Sequence, residues 1–127
     1  MATTNEFAGT LAGFESLREL MGEDGIRELM GLFIDDGGNH IVRLGGALDR
    51  SDAGLLAEVA HALKGSSASV GANRMAQLCG QLETSGRAGT TAGGAAVLQA
   101  LVEEFKCVTR FLSKTQIVAD VSVRLAA

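Results

Sequence analysis

Hydrophobic side chains recur every three or four residues along most of the chain, which is the period of an amphipathic α-helix. A short first stripe ends at Gly22, and a second runs past Gly37 and Gly38 as one element. The stripes predict helices at 7–21, 26–48, 51–69, 72–85 and 97–112. Four long amphipathic helices with short links each need neighbours to cover their apolar faces. We therefore expect an all-α fold: an antiparallel up-down four-helix bundle with a short additional N-terminal helix.

Polar residues and glycines mark the ends of these helices. Ser51 or Asp52 can cap the third helix, since a short polar side chain accepts from the free backbone N–H groups of a first turn. Gly71 is suited to end the preceding helix, because glycine readily adopts the left-handed backbone conformation found there. The Gly and Thr content of 86–94 predicts a loop. We expect residues 1–115 to form a single helical domain, with 116–127 as a tail whose hydrophobic positions fit neither a helix nor a strand period.

Composition narrows the function classes. The chain lacks Pro, Trp and Tyr, carries 17 glycines and has a net charge of −4. Nucleic acid is not an expected partner, because binding it requires a basic face. No segment has the pattern of a secretory signal or of a membrane span, so we expect a cytoplasmic protein that does not bind membranes. Cys79 and Cys107 are too far apart to suggest a metal motif, and the spacing around Cys79 predicts a buried thiol.

His61 lies on the side of its predicted helix that does not pack against the core. On the wheel of the 51–69 helix, Leu56, Val59 and Leu63 share the inner side and His61 lies roughly opposite. Small residues and Lys64 surround it. We therefore expect an imidazole that another macromolecule can reach.

Three chemical roles for His61 follow. A metal site is suggested by the Glu-x-x-His at 58–61, but it needs a second such pair, and the other histidine, His40, has Gly37 three residues before it. A hydrolase is disfavoured by the absence of a Gly-x-Ser-x-Gly elbow from the sequence. No phosphate-binding glycine loop or kinase motif is present either, so we expect no enzyme that uses ATP. The third role is a histidine that accepts and gives up a phosphoryl group.

The neighbours of His61 suit that third role. Neutral imidazole is a nucleophile near pH 7, and a phosphoryl group in transit is stabilised by nearby cations. Lys64 lies one turn later, and Gly65 leaves room for a partner to approach. Ser66 or Ser67 can supply a hydroxyl, although the wheel turns Ser67 towards the core.

The sequence resembles the histidine-containing phosphotransfer (HPt) domains of multistep two-component signalling. The likeness rests on His-Ala-Leu-Lys-Gly-Ser-Ser-Ala at 61–68, Gly-Ala at 71–72, Leu-Cys at 78–79 and Leu-Glu at 82–83. It also takes in the 29–48 helix and the final helix, and so covers roughly residues 10 to 115.

The resemblance implies a role for each of these residues. His61 is phosphorylated on Nε2, Lys64 stabilises the phosphoryl charge, and Gly65 leaves access to the ring. Glu83 matches a position that in some members orients the imidazole through Nδ1, with Gln77 or Gln81 as substitutes.

The same resemblance implies the partners. They are receiver domains of response regulators and hybrid sensor histidine kinases, docking on the small residues that include Ala57 and Ala68. A receiver supplies the divalent metal and an acidic pocket, so we expect a monomeric phosphocarrier with no cofactor and no metal of its own. Two alternatives remain open: a receiver-docking module without phosphotransfer, and the phosphoacceptor domain of a chemotaxis-type histidine kinase.

Overall fold

The computed structural model describes residues 8–114, which form four α-helices and contain no strand. The helices are α1 (Ala8–Asp49), α2 (Ala53–Ser69), α3 (Asn73–Arg87) and α4 (Gly94–Lys114). α2 and α4 each pack against both α1 and α3, so the four helices close into a ring. Short links make consecutive helices antiparallel. The predicted all-α four-helix bundle is confirmed, whereas the predicted tail at 116–127 lies outside the described residues.

Gly22 interrupts α1 where the hydrophobic pattern places the end of a short first helix. Its backbone leaves helical geometry, with φ +79° and ψ 174°. That φ lies in the left-handed region, which glycine adopts without steric cost. Past the break the helix continues through Gly37, where an added Cβ would lie 2.7 Å from Cε1 of Phe105. Gly37 therefore makes room for an aromatic ring of α4 and does not break the helix.

The turns on either side of α2 follow the local sequence. The Asp52 side chain caps α2 by accepting a hydrogen bond from the backbone N–H of Leu55 at 3.0 Å. Gly71 turns the chain at φ +79°. The segment before the Gly22 break packs on this second turn, because Thr10 Oγ1 donates to the Gly71 carbonyl at 3.0 Å. A Cβ on Gly71 would lie 2.1 Å from the Gly9 carbonyl oxygen, so only glycine fits there.

Every helix contributes side chains to a single hydrophobic core. Three phenylalanines link α1 to α4: Phe14 meets Phe33 edge-on with ring centroids 6.3 Å apart, and Phe33 meets Phe105 at 6.5 Å. α2 turns one side to this core, burying Leu56, Val59, Ala60, Leu63 and Ser67. Burying a leucine or valine side chain contributes about 1.5–3 kcal/mol. One side of α2 is thus fixed by packing against the core, and the other side faces outward.

The end of α3 differs from the sequence-based expectation. The helix runs to Arg87, whereas the pattern predicted an end near Ser85 and a loop from 86. Gly86 suggested a loop by its type, yet it is buried inside the helix. An added Cβ would lie 2.6 Å from the Ala53 carbonyl oxygen, so glycine is required for the close approach of α3 to α2. As a result, Arg87 is placed on the helix, one turn after Glu83.

None of the helices in residues 8–114 combines the length and the apolar character that crossing a bilayer would require.

Candidate functional site

His61 lies on the outward side of α2, opposite the residues that fill the core. Its side chain is 63% exposed, while Val59, Ala60 and Leu63 are fully or almost fully buried. The exposure that the helical wheel predicts is confirmed. A large molecule can therefore reach the imidazole without any change in the bundle.

A carboxylate from α3 contacts the imidazole. Nδ1 of His61 lies 2.8 Å from Oε2 of Glu83, whose side chain is 7% exposed. The close α2–α3 approach at Gly86 brings the two helices near enough for this contact. The hydrogen bond to Nδ1 thus comes from Glu83. Gln77 accepts from Arg74 instead, at 3.3 Å, and Gln81 is exposed.

Two cations hold the same carboxylate. Lys64 Nζ lies 2.6 Å from Oε1 of Glu83, and Arg87 Nη2 lies 2.5 Å from Oε2. The hydrogen bond from Lys64 is the largest cause that lowers the pKa of Glu83, and those from Arg87 and His61 lower it further. Burial acts in the opposite direction, and the outcome is a pKa of about 2, below the usual 4.5. Glu83 is therefore ionised at neutral pH.

An ionised Glu83 determines which ring nitrogen of neutral His61 carries the proton. A carboxylate can only accept hydrogen bonds, so Nδ1 must be the donor. The other ring nitrogen, Nε2, then keeps its lone pair. The arrangement gives an exposed imidazole with a defined tautomer and a nucleophilic Nε2.

Gly65 has no packing reason to be glycine. It lies inside α2, it is exposed, and an added Cβ would meet nothing within 4 Å. A glycine inside a helix costs about 1 kcal/mol relative to alanine. The fold therefore gains nothing from this glycine, which lies one turn from His61.

The structure does not bring Ser67 to the site. Its side chain is fully buried on the inner face of α2, and the hydroxyl has no hydrogen-bond partner among the described residues. A phosphoryl group on the outward imidazole is out of its reach, so the predicted catalytic role of Ser67 is corrected. The Ser66 hydroxyl donates to the Leu63 carbonyl at 3.2 Å and lies on the exposed side.

Arg87 belongs to the site, although no sequence motif pointed to it. Its spacing of four residues from Glu83 is typical of an ion pair on a helix. The pair could not be inferred from this spacing, because the predicted helix ended before Arg87. Continuing the helix through Gly86 would have revealed it.

The two residues expected to lie in a docking surface differ in exposure. Ala68 is exposed, whereas Ala57 is half-buried beneath the close approach of Gly86. Glu58, the partner of His61 in the Glu-x-x-His spacing, is exposed. Across residues 8–114, no three His, Cys, Asp or Glu side chains gather as metal ligands.

Comparisons with known proteins agree with this geometry. The Hpt domain family model matches residues 28–107. The crystal structure of histidine-containing phosphotransfer protein B (HptB) from Pseudomonas aeruginosa PAO1 superposes with a TM-score of 0.77 at 34% sequence identity. The match covers 84% of this chain and 90% of that one. No curated protein sequence matches. The resemblance found in the sequence is thus confirmed, and the chain belongs to the histidine-containing phosphotransfer (HPt) domain family, whose members are phosphocarriers that interact with receiver domains in phosphorelays.

Proposed function

We propose that His61 is the residue that carries the phosphoryl group, taking it from the aspartate of one receiver domain and giving it to the aspartate of another. The observation that supports this most is the contact between His61 and Glu83. An exposed imidazole donates from Nδ1 to a buried, ionised carboxylate at 2.8 Å. Nε2 is therefore the unprotonated nitrogen and the nucleophile.

The transfer step balances with the groups present. The Nε2 lone pair attacks phosphorus, the N–P bond forms, and the P–O bond to the donor aspartate breaks. The aspartate leaves as a carboxylate, and the ring keeps its proton on Nδ1. The ring thereby gains positive charge, which the Glu83 carboxylate stabilises through the hydrogen bond already in place. The onward step is the reverse reaction with a second receiver aspartate as nucleophile.

Lys64 and Gly65 have supporting roles. The Lys64 side chain is 41% exposed, and its ammonium lies beside Glu83, one turn from the imidazole. It offers positive charge to the phosphoryl oxygens, which carry the charge that develops during transfer. Gly65 leaves open the space over which the receiver backbone must approach. Arg87 is a positioning residue, because it helps to keep Glu83 ionised and fixed in place.

The partners that fit this role are receiver domains of response regulators and of hybrid sensor histidine kinases. We expect them to cover the exposed side of α2 around His61, which includes Ala68, and to reach the half-buried Ala57 at its edge. Such a receiver brings its own acidic pocket and divalent metal. This chain then supplies the imidazole, its orientation and the nearby cations.

The test is phosphoryl transfer from a labelled, phosphorylated receiver domain to the wild type and to His61→Gln. His40→Gln is the matched control, because His40 is the other histidine of the chain and lies on α1, where Nδ1 contacts the Asp36 carbonyl at 2.7 Å. We expect the wild type and His40→Gln to take up label as an acid-labile, base-stable phosphate, and His61→Gln to take up none.

Other outcomes point elsewhere. Label that persists on His61→Gln means that another residue is the nucleophile. Binding of receivers without transfer makes the protein a docking module. Labelling by an ATP-loaded kinase domain but by no phosphorylated receiver makes it the acceptor domain of a chemotaxis-type kinase.

A further inference from the structure

A shallow, largely open groove lies beside His61, between the C-terminal half of α2 and the start of α3. It has an open volume of about 670 Å³, and its lining comprises Lys64, Ala68, Asn73, Arg74, Ala76 and Gln77. Lys64 belongs both to this lining and to the contacts of Glu83. The groove is therefore continuous with the surface around His61.

A body that docks over His61 also reaches this groove. Ala68 lies seven residues after His61, so it projects on nearly the same side of α2 and about 10 Å further along the axis. A standard interface buries about 800 Å² on each partner, equivalent to a disc of about 16 Å radius. The footprint of a receiver centred on His61 thus reaches the Ala68 end of the groove.

The charge of the groove is opposite to that of the whole chain. The lining holds two cations, Lys64 and Arg74, and no carboxylate, whereas the chain carries a net charge of −4. Lys64 is already paired with Glu83. Arg74 is exposed and, within residues 8–114, has no ion pair; it donates a hydrogen bond to the uncharged Gln77 side chain at 3.3 Å. Arg74 is the cation of the groove that is free to pair with a partner.

We propose that this α2–α3 groove receives an acidic surface element of the receiver domain and that Arg74 determines which receivers dock well. The proposal rests on the proposed function, since it concerns the partner of that same site. A phosphorylated receiver presents carboxylates and a phosphoryl group around its aspartate. With that aspartate at His61, the rim of this acidic region comes opposite the Ala68 end of the groove, where its charge is complementary to the lining. Opposite charges at an interface raise association rates and reject partners of like charge.

The test compares Arg74→Glu with a matched control, Arg110→Glu. Arg110 is also an exposed arginine with one weak contact, to Cys107 Sγ at 3.4 Å, but it lies on α4, diagonally across the bundle from α2. Both variants change the net charge equally. Three measurements are made on each full-length protein: receiver binding, kcat/KM for transfer from a phosphorylated receiver, and labelling of His61 by phosphoramidate, which needs no docking.

We expect Arg74→Glu to lower kcat/KM by about tenfold at low salt, and we expect the loss to shrink towards twofold in about 0.5 M salt. Phosphoramidate labelling is expected to stay at the wild-type rate, and Arg110→Glu to transfer within about twofold of wild type. Equal losses in the two variants, or no loss in either, would overturn the groove proposal and leave the phosphorelay role intact. A wild type that neither binds receivers nor accepts phosphate from them, while phosphoramidate still labels it, would overturn the proposed function itself and the groove proposal with it.

Discussion

Nδ1 of His61 and Oε2 of Glu83 lie 2.8 Å apart although 22 residues separate them in the sequence. The contact joins two helices, so it forms only when α2 and α3 pack closely. Gly86 permits that packing, because an added Cβ would collide with the backbone of Ala53. The orientation of the exposed imidazole therefore depends on the fold of the bundle as well as on the local sequence.

Removing the Glu83 carboxylate is expected to slow phosphoryl transfer. Glu83→Ala leaves Nδ1 without its acceptor and the ring without a stabilising charge, so we expect kcat/KM to fall about tenfold, the equivalent of one net hydrogen bond. Glu83→Gln can still accept from Nδ1 and should lose less. The measurement is transfer from a phosphorylated receiver. Gln81→Ala, on the exposed side of the same helix, is the control and should transfer normally; equal rates for Glu83→Ala and wild type would contradict the orienting role.

Glu83 is also expected to make stability depend on pH in the acid range. Its pKa is about 2 in the folded protein, below the ordinary 4.5, mainly because Lys64 donates to it. A depressed pKa means that the folded state holds the ionised carboxylate more strongly than the unfolded chain does. The stabilisation is complete above pH 4.5 and is lost as the pH falls towards 2.

The check is urea unfolding of wild type and Glu83→Gln at pH 7 and at pH 3. The free-energy difference between the two proteins should be larger at pH 7 and should shrink at pH 3. A difference that does not change with pH would show that the ion pairs of Glu83 add no stability in solution.

Gly65→Ala should stabilise the protein and impair transfer at the same time. The added methyl meets nothing within 4 Å, so the helix gains about 1 kcal/mol. The same methyl enters the space that we propose a receiver occupies, and a small misplacement of the reacting atoms can cost about tenfold or more in rate.

Gly45→Ala is the matched control for that variant. It lies inside α1, and its added Cβ would make only an ordinary contact with Leu98 at 3.9 Å. We expect a similar gain in stability, read from thermal unfolding, with normal transfer. Normal transfer by Gly65→Ala as well would show that access at this position does not limit docking.

The two cysteines should react differently with thiol reagents. Cys79 is fully buried, and burial raises the pKa of its thiol to about 12 from 9.0, although Lys64 acts in the opposite direction. The reactive thiolate is therefore almost absent at pH 8. Cys107 is only half-buried. Iodoacetamide should label Cys107 in the native protein and both thiols in urea. Cys107→Ser should then remove the native labelling; rapid native labelling of that variant would mean that Cys79 becomes exposed.

Local features of the fold could be predicted because their causes are local. Asp52 caps α2 and Gly71 turns the chain, since each depends on the residue type and its immediate neighbours. The exposure of His61 follows from helical periodicity alone. Ser67 was predicted less well. Its place in the motif suggested a catalytic hydroxyl, whereas the helical wheel placed it towards the core. The structure buries it completely, as the wheel indicated.

Contacts that depend on how helices meet could not be predicted in the same way. Arg87 reaches Glu83 only because the helix continues through Gly86, and that glycine is explained by the backbone of another helix. Likewise, the fit of Gly9 against Gly71 depends on elements more than sixty residues apart, as the neighbouring Thr10–Gly71 hydrogen bond shows. A single sequence shows the glycines but not what lies opposite them.

The burial of Phe14 means that the unit that folds cooperatively is longer than the stretch that carries the family pattern. Phe14 is fully buried against Phe33, and Leu112 is fully buried near the other end, yet both lie outside residues 28–107. Losing a buried phenylalanine costs about 3–5 kcal/mol, a large share of the 5–15 kcal/mol that typically holds a domain together. A portable version of this protein, fused to a kinase or transplanted into an artificial relay, should therefore span at least Thr10 to Leu112.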